Sequence, residues 1–595
     1  MSYKAPVKDL LFNIEHLARI DEIAQIPGFE DAGLETAQAV LEECARFNEE
    51  VVAPLNYEAD KAPSSHAGTE VTTSAGFKQA YQQYTEGGWQ GLQHPADFGG
   101  QGLPKTIGAA CGEILNSANL SFALCPLLTD GAIEALLTAG GDELKATYLE
   151  KLISGEWTGT MNLTEPQAGS DLAMVRSRAE SQPDGSYKVF GTKIFITYGE
   201  HDMADNIVHL VLARVAGAPE GVKGISLFVV PKFLVKQDGS LGERNDVYCV
   251  SIEHKMGIKA SPTAVLQYGD HGGAIGYLVG EENRGLEYMF IMMNAARYAV
   301  GVQGVAIAER AYQKAVQYAN ERVQSRPVDG SVRGPATIIH HPDVRRMLMT
   351  MRALTEGCRA MACTAAAAYD AAHHHPDAEV RQQNQAFYEF MVPLVKGYST
   401  EMSLQVTDLG VQVHGGMGFI EETGAAQYYR DAKILTIYEG TSAIQANDLV
   451  GRKTARDGGQ MARGIAAQIE ATERELKQGG ADAQAVAKRL AAGRQAFLDV
   501  VDFIVAQAKA DPNAAYAGSV PYMLLAGNLV AGWQLGRALL VAEQQLAQGQ
   551  DAAFMKAKIA TARFYADHIL TRIPGVRDAI VEGADSVTAM PLEAF

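Results

Sequence analysis

Cysteine and concentrated positive charge are both scarce in this sequence. Its 595 residues include six cysteines, at positions 44, 111, 125, 249, 358 and 363, and no two of them form a CxxC pair. This scatter predicts reduced, buried thiols in a cytoplasmic protein and disfavours disulfides or a metal centre. No basic tract interrupts the chain, and 51 lysines and arginines against 70 acids give a formal net charge of −19. Because nucleic-acid binding depends on neutralising phosphates, we expect no nucleic-acid partner.

Patterns typical of secretion or membrane insertion are also lacking. The first ten residues, MSYKAPVKDL, contain no apolar core of the kind that signal peptides carry, so we expect no secretory signal. The run that looks most like a membrane segment, residues 520–542, contains Asn528, Gln534 and Arg537. These polar residues predict a buried helix of a globular protein, and we therefore expect no integral membrane segment.

The texture of the chain changes along its length in a way that predicts four domains. Residues 1–158 are mostly helical by pattern, and residues 159–280 contain short, β-branched, partly alternating runs that are typical of strands. Long helical patterns return over 281–465 and are followed, after a polar linker, by further amphipathic helices over 466–595. The predicted fold class is therefore mainly α with an all-β middle domain.

The stretch TEPQAGSD (164–171), near the start of the predicted strands, has features of a ligand site. Thr164 and Ser170 offer hydroxyl groups, and Gly169 lets backbone amides approach a ligand closely. Such a turn suits a phosphate or the polar edge of a flavin. An ordinary polar loop with an aspartate cap explains the same residues, and both interpretations stay open.

Two other stretches also permit a ligand without requiring one. In GTKIFITYG (191–199), Phe195 and Thr197 share one face of a predicted strand, so a simple division into a core-facing and a solvent-facing residue does not fit well. QVHGGMGFIEE (412–422) has three glycines within four residues, which suits close approach to a ligand. Tight packing between helices explains these glycines equally well.

Two further motifs are better explained by structure than by chemistry. GVQGVA (301–306) resembles part of a dinucleotide-binding fingerprint, but it lies in a long helical pattern without a preceding strand. HHH (373–375) stands beside Pro376 in a polar stretch without cysteine or acidic residues at ligand spacing, so we expect a solvated turn and no metal site.

The segment LTIYEGTSAIQAND (435–448) places a single carboxylate, Glu439, between a tyrosine and a glycine. An apolar-leaning run precedes this acid and a good helix-forming stretch follows it. One interpretation is an acid favoured at a helix N-terminus by the helix dipole. The other is a catalytic base, because a lone carboxylate in a site shielded from water can remove a weakly acidic proton.

Taken together, these stretches resemble the acyl-CoA dehydrogenase family over roughly residues 40–455. The resemblance rests on motifs in the family's order, namely GWQGLQHPADFGGQGLP, LTEPQAGSDLA, QVHGGMGF and DAKILTIYEGTSAIQ. It implies a helical N-domain, a β-barrel middle domain and a four-helix C-domain. The additional C-terminal helices are similar to those of a long branch that includes 3-methylmercaptopropionyl-CoA dehydrogenases and bacterial fatty acyl-CoA dehydrogenases.

The resemblance implies that Glu439 removes the α-proton of a saturated acyl-CoA thioester. Some members of the family place the base on a long helix, immediately before an arginine, but here that position is Ala296, which cannot take a proton. The neighbouring Arg297 is expected to steer Glu439, with a surface salt bridge as the alternative. Gly440, which has no Cβ, is expected to leave room for the thioester. Ser170 is also expected at the substrate.

The resemblance also implies FAD as the cofactor, and its contacts can be carried over by position. The residues expected to contact FAD are Thr164, Ser170, Phe195, Thr197, Arg322, Gln412, Gly416 and Thr441. Phe195 stands where many relatives have tryptophan. Three of them, Arg322, Gln412 and Gly416, are expected to reach the FAD of a neighbouring subunit, which implies a homodimer.

The expected reaction is FAD-dependent conversion of a saturated fatty acyl-CoA to a trans-2-enoyl-CoA, with an electron-transferring flavoprotein as the electron acceptor. The alternative within the family is a 3-methylmercaptopropionyl-CoA dehydrogenase. An acyl-CoA oxidase, which passes electrons to oxygen, is a further alternative. A flavin-free interaction protein is the alternative from another class. The intact YEGT sequence at 438–441 disfavours this alternative, because a protein that has lost its activity does not need a buried carboxylate.

Overall fold

The computed structural model describes residues 2–595, which divide into two units. The first unit consists of residues 2, 46–103 and 118–299. The second unit consists of residues 3–45, 104–117 and 300–595. Each unit therefore combines segments that are far apart in the sequence. The residues expected to bind a ligand are divided between the two units.

Helices dominate the N-terminal part of the chain, with one short hairpin among them. In chain order the elements are α1 (Val7–His16), α2 (Ile20–Ile23), α3 (Leu34–Phe47), α4 (Asn56–Lys61), β1 (Ser65–Ala67), β2 (Glu70–Thr72), α5 (Phe77–Glu86), α6 (Lys105–Ala118), α7 (Leu120–Ala139) and α8 (Asp142–Ser154). The start of α7 is fixed by Asn119, whose side-chain oxygen accepts the backbone N–H of Phe122 at 3.1 Å.

Strands follow, as the sequence predicts for the middle of the chain. They are β3 (Trp157–Asn162), β4 (Arg178–Ser181), β5 (Tyr187–Thr197), β6 (Asn206–Val215), β7 (Ser226–Pro231), β8 (Phe233–Val235), β9 (Leu241–Arg244), β10 (Val247–Ile252), β11 (Thr263–Tyr268) and β12 (Ala274–Leu278). All six residues of β3 are buried, so no polar–apolar alternation marks this strand in the sequence.

The main sheet of the first unit closes on itself as a barrel. Neighbouring strands run in the order β5, β12, β7 and β6, and β4 pairs with both β6 and β5 to complete the ring. The apolar side chains of Val189, Val211 and Phe228 on these strands belong to one buried core cluster. Strand β5 is longer than the ring requires. Its second half extends beyond the ring and pairs with β11, and this extension carries Phe195 and Thr197.

Helices form the remainder of the chain. They are α9 (Gly285–Glu321), α10 (Pro342–His374), α11 (Ala378–Pro393), α12 (Ser399–His414), α13 (Ala425–Lys433), α14 (Ser442–Asp448), α15 (Gln460–Leu476), α16 (Ala481–Ala510), α17 (Pro512–Ala517), α18 (Ser519–Ala547), α19 (Ala552–His568), α20 (Ile573–Val581) and α21 (Ala584–Val587). The glycines of GVQGVA lie inside α9, as expected, and the fingerprint interpretation is excluded. His373 and His374 lie in the last turn of α10 rather than in a loop, which corrects the expected turn at HHH.

A buried network of charges ties the C-terminal helices of the second unit to its N-terminal segment. Arg359 on α10 donates to carboxylates of Glu113, Asp9 and Glu309, and Lys558 on α19 donates to Asp9 at 2.7 Å. Burial alone raises the pKa of Asp9, but Lys558 and Arg359 outweigh it and lower the pKa to about 2. Asp9 therefore stays ionised at neutral pH, and the network joins helices from both ends of the chain.

Three of the described helices, α7, α9 and α18, are long and apolar enough to cross a membrane by length and composition alone. In α18, 78% of the most apolar window is buried inside the protein. The apolar residues of α18 therefore contribute to an internal core, which agrees with the buried helix predicted for residues 520–542. None of the six cysteines among the described residues forms a disulfide, and Cys363 is the least buried of them.

Candidate active site

Glu439 lies in a tight loop of the second unit, between the 3₁₀ turn Ile434–Thr436 and helix α14. Its side chain is half-buried, and its backbone has φ of +55°, in the left-handed region that residues with a Cβ rarely adopt. Gly440 follows with φ of +86°, which glycine adopts without strain. A left-handed glutamate costs about 1–3 kcal/mol, and such residues concentrate at functional sites, where surrounding contacts hold them in place.

Two buried side chains donate hydrogen bonds to main-chain carbonyl oxygens of this loop. The ammonium group of Lys396 donates to the carbonyl oxygens of Leu435, at 2.7 Å, and Gly440, at 2.8 Å. The side-chain amide of Gln445 donates to the carbonyl oxygens of Glu439 and Gly440, at 3.3 Å each. Both ends of the loop are thereby fixed, which explains how Glu439 keeps its left-handed backbone.

Tyr438 adds a third anchor beside Glu439. Its hydroxyl donates to the side-chain oxygen of Gln303 on α9, and the amide of Gln303 donates to Asn116 on α6 at 3.0 Å. Burial, and then the negative charge of Glu439, hold the pKa of Tyr438 well above its usual range. The phenol therefore remains a neutral donor at neutral pH.

The residues after Glu439 begin helix α14. The hydroxyl oxygen of Thr441 accepts the backbone N–H of Ile444 at 3.3 Å and so caps the helix. Ser442 donates to a carboxylate oxygen of Glu401 on α12 at 2.5 Å. A capping hydroxyl keeps a lone pair and a proton for a further hydrogen bond. The expected contact of Thr441 with FAD stays a prediction.

In the first unit, Phe195 is directed outward by an irregularity in β5. Ile196 pairs with Ala264 and Lys193 pairs with Leu266, so two residues of β5 oppose one of β11. This β-bulge reverses the alternation, and it leaves Ile196 in the core and Phe195 59% exposed with φ of +60°. Strict alternation would have placed the Phe195 ring on the buried face together with Val189.

A buried ion pair fixes the loop TEPQAGSD next to this strand. Lys193 donates to Glu165 at 2.8 Å and to the carbonyl oxygen of Leu163 at 3.0 Å, and the backbone N–H of Ile194 donates to the carbonyl oxygen of Thr164 at 2.9 Å. Burial favours the neutral form of Glu165, but the charge of Lys193 outweighs it and lowers the pKa of Glu165 to about 2. Thr164 is thus held beside the strand that carries Phe195.

The first unit exposes apolar side chains of the kind that a flat aromatic cofactor contacts. Phe195 presents its exposed ring, and Met174 adds another apolar side chain that is 46% exposed. At Gly169 an added Cβ would meet nothing within 4 Å, so internal packing does not require glycine there. Ser170 is exposed, and Thr197 is half-buried. The expected contacts of Thr164, Ser170, Phe195 and Thr197 with FAD are compatible with this arrangement.

Arg322, Gln412 and Gly416 form a separate exposed group in the second unit. Arg322 follows α9, and its backbone N–H donates to the carbonyl oxygen of Tyr318 at 2.8 Å. The Tyr318 ring stacks on His414 at 4.4 Å, between Gln412 and Gly416 in the sequence. Positions 401 and 412 are about 16 Å apart along α12. This group is therefore distant from the part of α12 that contacts the Glu439 loop.

Arg297 is buried in α9 of the first unit and is only 6% exposed. The alternative of a surface salt bridge for Arg297 is therefore wrong, since a surface residue would be accessible to water. Ala296 beside it is also buried, at 2% exposure. The expected influence of Arg297 on Glu439 stays a prediction.

The structure adds residues that the sequence does not identify. Lys396 is separated from Glu439 by the helices α12 and α13, and no local sequence motif indicates its contact with Gly440. The YEGTSAIQ stretch includes Gln445, but its spacing alone does not distinguish a buried donor from a surface amide. Glu165 and Lys193 likewise meet only through the fold.

Comparison with known proteins identifies the family of this chain. Four family models match it in order: "Acyl-CoA dehydrogenase, N-terminal domain" over residues 34–156, "Acyl-CoA dehydrogenase, middle domain" over 160–270, "Acyl-CoA dehydrogenase, C-terminal domain" over 283–453, and "Acetyl-CoA dehydrogenase C-terminal like" over 465–591. With the full-length relatives described next, these matches show that the chain belongs to the acyl-CoA dehydrogenase family.

Full-length similarity extends to individual proteins. The 3-methylmercaptopropionyl-CoA dehydrogenase of Ruegeria pomeroyi is 57% identical over 592 residues, which cover 100% of both chains. The broad-specificity linear acyl-CoA dehydrogenase of Mycobacterium tuberculosis is 36% identical over 620 aligned residues, again covering 100% of both chains. A Bacillus anthracis acyl-CoA dehydrogenase solved with FAD shares the fold, with a TM-score of 0.75, 23% identity, and 95% of this chain and 91% of that chain covered.

Membership in the family confirms several predictions made from the sequence. The chain is an oxidoreductase that acts on a CH–CH bond, and its cofactor is FAD. The predicted fold class, mainly α with a β-barrel and additional C-terminal helices, is also confirmed. The roles of the individual site residues stay predictions.

Substitution of Phe195 tests whether this exposed ring binds the flavin. We expect Phe195→Ala to raise the dissociation constant of FAD about tenfold, because stacking of aromatic rings contributes about 0.5–1.5 kcal/mol beyond the area buried. The apoprotein is expected to lose less than about 1 kcal/mol of stability, because the ring is exposed. Flavin fluorescence on dilution and thermal unfolding of the apoprotein measure the two effects.

Phe195→Trp is the matched control, since it keeps a stacking surface and is expected to retain FAD. An alanine variant that binds FAD as tightly as the wild type would contradict the assignment. So would a loss of about 3–5 kcal/mol in the apoprotein, which is typical of a truncated core residue.

Proposed function

We propose that this acyl-CoA dehydrogenase oxidises 3-methylmercaptopropionyl-CoA, a propionyl thioester with a thioether at its β-carbon. The observation that carries this proposal is the 57% identity, over full length, to the Ruegeria pomeroyi enzyme of that name. The fatty acyl-CoA expected from sequence is the second candidate, favoured by the 36% identity to the broad-specificity linear enzyme. The Glu439 loop provides a base for either substrate.

The reaction removes two hydrogens from adjacent carbons of the thioester and leaves a double bond between Cα and Cβ. The carboxylate of Glu439 takes the proton from Cα, and the backbone N–H of Glu439 donates to the thioester oxygen as negative charge develops there. FAD, when bound, supplies the acceptor for the hydride that leaves Cβ. Lys396, Gln445 and Tyr438 keep Glu439 in place throughout, because they hold its loop at both ends.

The thioether substrate and the fatty acyl substrates need the same base but different acyl pockets. A carboxylate removes such a weakly acidic proton only when water is excluded and the carboxylate is already in position. The half-buried Glu439, held with a left-handed backbone, meets the second condition. The proposal for the substrate therefore depends on the similarity to the Ruegeria pomeroyi enzyme, and the proposal for the base depends on the loop.

We also propose a homodimer in the cytoplasm that passes its electrons to an electron-transferring flavoprotein. An exposed apolar patch beside Gln412 and Gly416 supports the dimer: Met417, Phe419 and Ile420 are 49%, 87% and 45% exposed. Contiguous apolar side chains at a surface are typical of protein interfaces. The patch adjoins residues that are expected to reach the FAD of a neighbouring subunit.

Anaerobic reduction of the flavin tests the reaction and the substrate. We expect 3-methylmercaptopropionyl-CoA to bleach the flavin with the highest rate constant in a panel of thioesters from butyryl-CoA to palmitoyl-CoA. Glu439→Gln is expected to slow bleaching by about 10²–10⁴-fold, the usual contribution of a general base, while it still binds FAD. Absorbance of the flavin in a stopped-flow instrument measures both.

Faster bleaching by a linear fatty acyl-CoA would favour the second candidate. A Glu439→Gln variant as fast as the wild type would contradict the assignment of the base. The bleached enzyme is then opened to air. Prolonged stability of the reduced flavin supports a flavoprotein acceptor, and rapid consumption of oxygen supports the alternative of an oxidase.

A charge placed in the apolar patch tests the dimer. We expect Phe419→Asp to convert the protein from dimer to monomer at micromolar concentration, because the dimer would bury a carboxylate without a partner. Phe595→Asp is the matched control, since Phe595 is equally exposed, at 89%, but lies at the C-terminus. Analytical ultracentrifugation measures the mass. A monomeric wild type, or the same mass for both variants, would contradict the proposed interface.

A further inference from the structure

Lys396 is a fully buried lysine in an irregular turn of the second unit. Its side chain is 0% exposed, and it lies in the π-helical segment Leu394–Tyr398 between α11 and α12. Single π-turns are rare and are often found at functional sites. Burial of a lysine charge is also costly unless strong acceptors surround it. Both features indicate that this turn has a structural or functional role beyond connecting two helices.

The hydrogen-bond acceptors of Lys396 indicate this role. Its ammonium group lies 2.7 Å from the carbonyl oxygen of Leu435 and 2.8 Å from that of Gly440, on either side of Glu439 in the sequence. Hydrogen bonds from a charged donor are roughly twice as strong as neutral ones. The lysine thus fixes the two ends of a loop whose middle holds a strained, left-handed glutamate.

The C-terminal helices support this turn from the other side. A Cβ added at Gly397 would lie 2.1 Å from the sulfur of Met523 on α18, so the backbone of the turn packs directly against that helix. The hydroxyl of Tyr398 donates to the side-chain oxygen of Asn528 at 2.6 Å and lies 2.9 Å from the hydroxyl of Tyr565 on α19. The turn that carries Lys396 is therefore held between the Glu439 loop and the C-terminal extension.

We propose that Lys396 is a positioning residue for Glu439, and that the C-terminal helices hold Lys396 in place. The lysine does not touch the reacting atoms. It fixes the backbone of the loop, so that the carboxylate keeps one orientation while the substrate binds. This inference rests on the proposed role of Glu439 as the base, and it gives the C-terminal extension a function in catalysis.

Substitution of Lys396 in the FAD-loaded enzyme tests the inference. We expect Lys396→Met, which has similar length but no charge, to slow flavin reduction by 3-methylmercaptopropionyl-CoA about 10²-fold per bound flavin, because small misplacements of catalytic groups have effects of this size. The dissociation constant of the thioester is expected to change less than threefold. Lys396→Arg, which keeps a charged donor, is expected to recover at least tenfold of the rate.

Amide hydrogen exchange provides a second readout, independent of activity. In Lys396→Met, exchange at residues 435–442 is expected to rise about tenfold, because the loop loses the donor to two of its carbonyls. Exchange within α18 is expected to stay unchanged. Gln445→Leu removes the other donor to the loop and is expected to change both readouts in the same direction.

Lys558→Met is the matched control, since Lys558 is also a buried lysine but belongs to the charge network with Asp9 and Glu356. It is expected to lower the melting temperature without changing the rate of flavin reduction per bound flavin. A Lys396→Met variant with the wild-type rate and wild-type exchange would overturn the inference. So would an equal loss of rate in the Met and Arg variants, or an equal loss in Lys558→Met.

Glu439→Gln, measured in parallel, separates the inference from the function on which it rests. If Glu439→Gln reduces its flavin at the wild-type rate, the proposed base is wrong and the role of Lys396 falls with it. If Glu439→Gln is inactive while Lys396→Met is unaffected, the base is supported and only the positioning role is overturned.

Discussion

The backbone of Glu439 is the constraint on which the proposed chemistry of this protein depends. A glutamate with φ of +55° is strained by about 1–3 kcal/mol, and it persists only because its neighbours leave the loop no alternative. Lys396 from the turn before α12, Gln445 from α14 and Gln303 from α9, which binds Tyr438, supply these restraints. These contacts fix the backbone of the loop before any substrate arrives, and the proposed general-base catalysis requires a base that is already in position.

The first unit uses a comparable device for a different purpose. A β-bulge in β5 exposes the ring of Phe195, and the buried pair of Glu165 and Lys193 holds the neighbouring loop against the same strand. In both units a local departure from regular structure accompanies a candidate site residue, and a buried lysine nearby donates to main-chain carbonyl oxygens. Regular elements alone would leave Phe195 inside the core and Glu439 in an ordinary helix start.

Much of this could be predicted from the sequence, because the relevant signals are local. Periodicity distinguishes helices from strands, and the YEGT sequence identifies Glu439 through its family. The bulge in β5 could not be predicted, because the alternation of apolar and polar residues does not show where a strand contains an extra residue. Lys396 could not be predicted either, since its partner at Gly440 is distant in the sequence. Arg297 shows the same limit, because a mostly apolar helix does not reveal which of its charged residues are buried.

The most direct test of the account is exchange of the α-hydrogen in a thioester that cannot lose a hydride. Methylmercaptoacetyl-CoA has sulfur at its β-position, so only the proton-transfer step remains. In deuterium oxide, the FAD-loaded wild-type enzyme is expected to incorporate deuterium at Cα, as measured by mass spectrometry, and Glu439→Gln is expected to do so only at the background rate. Exchange in the variant as fast as in the wild type would contradict the claim that Glu439 takes the α-proton.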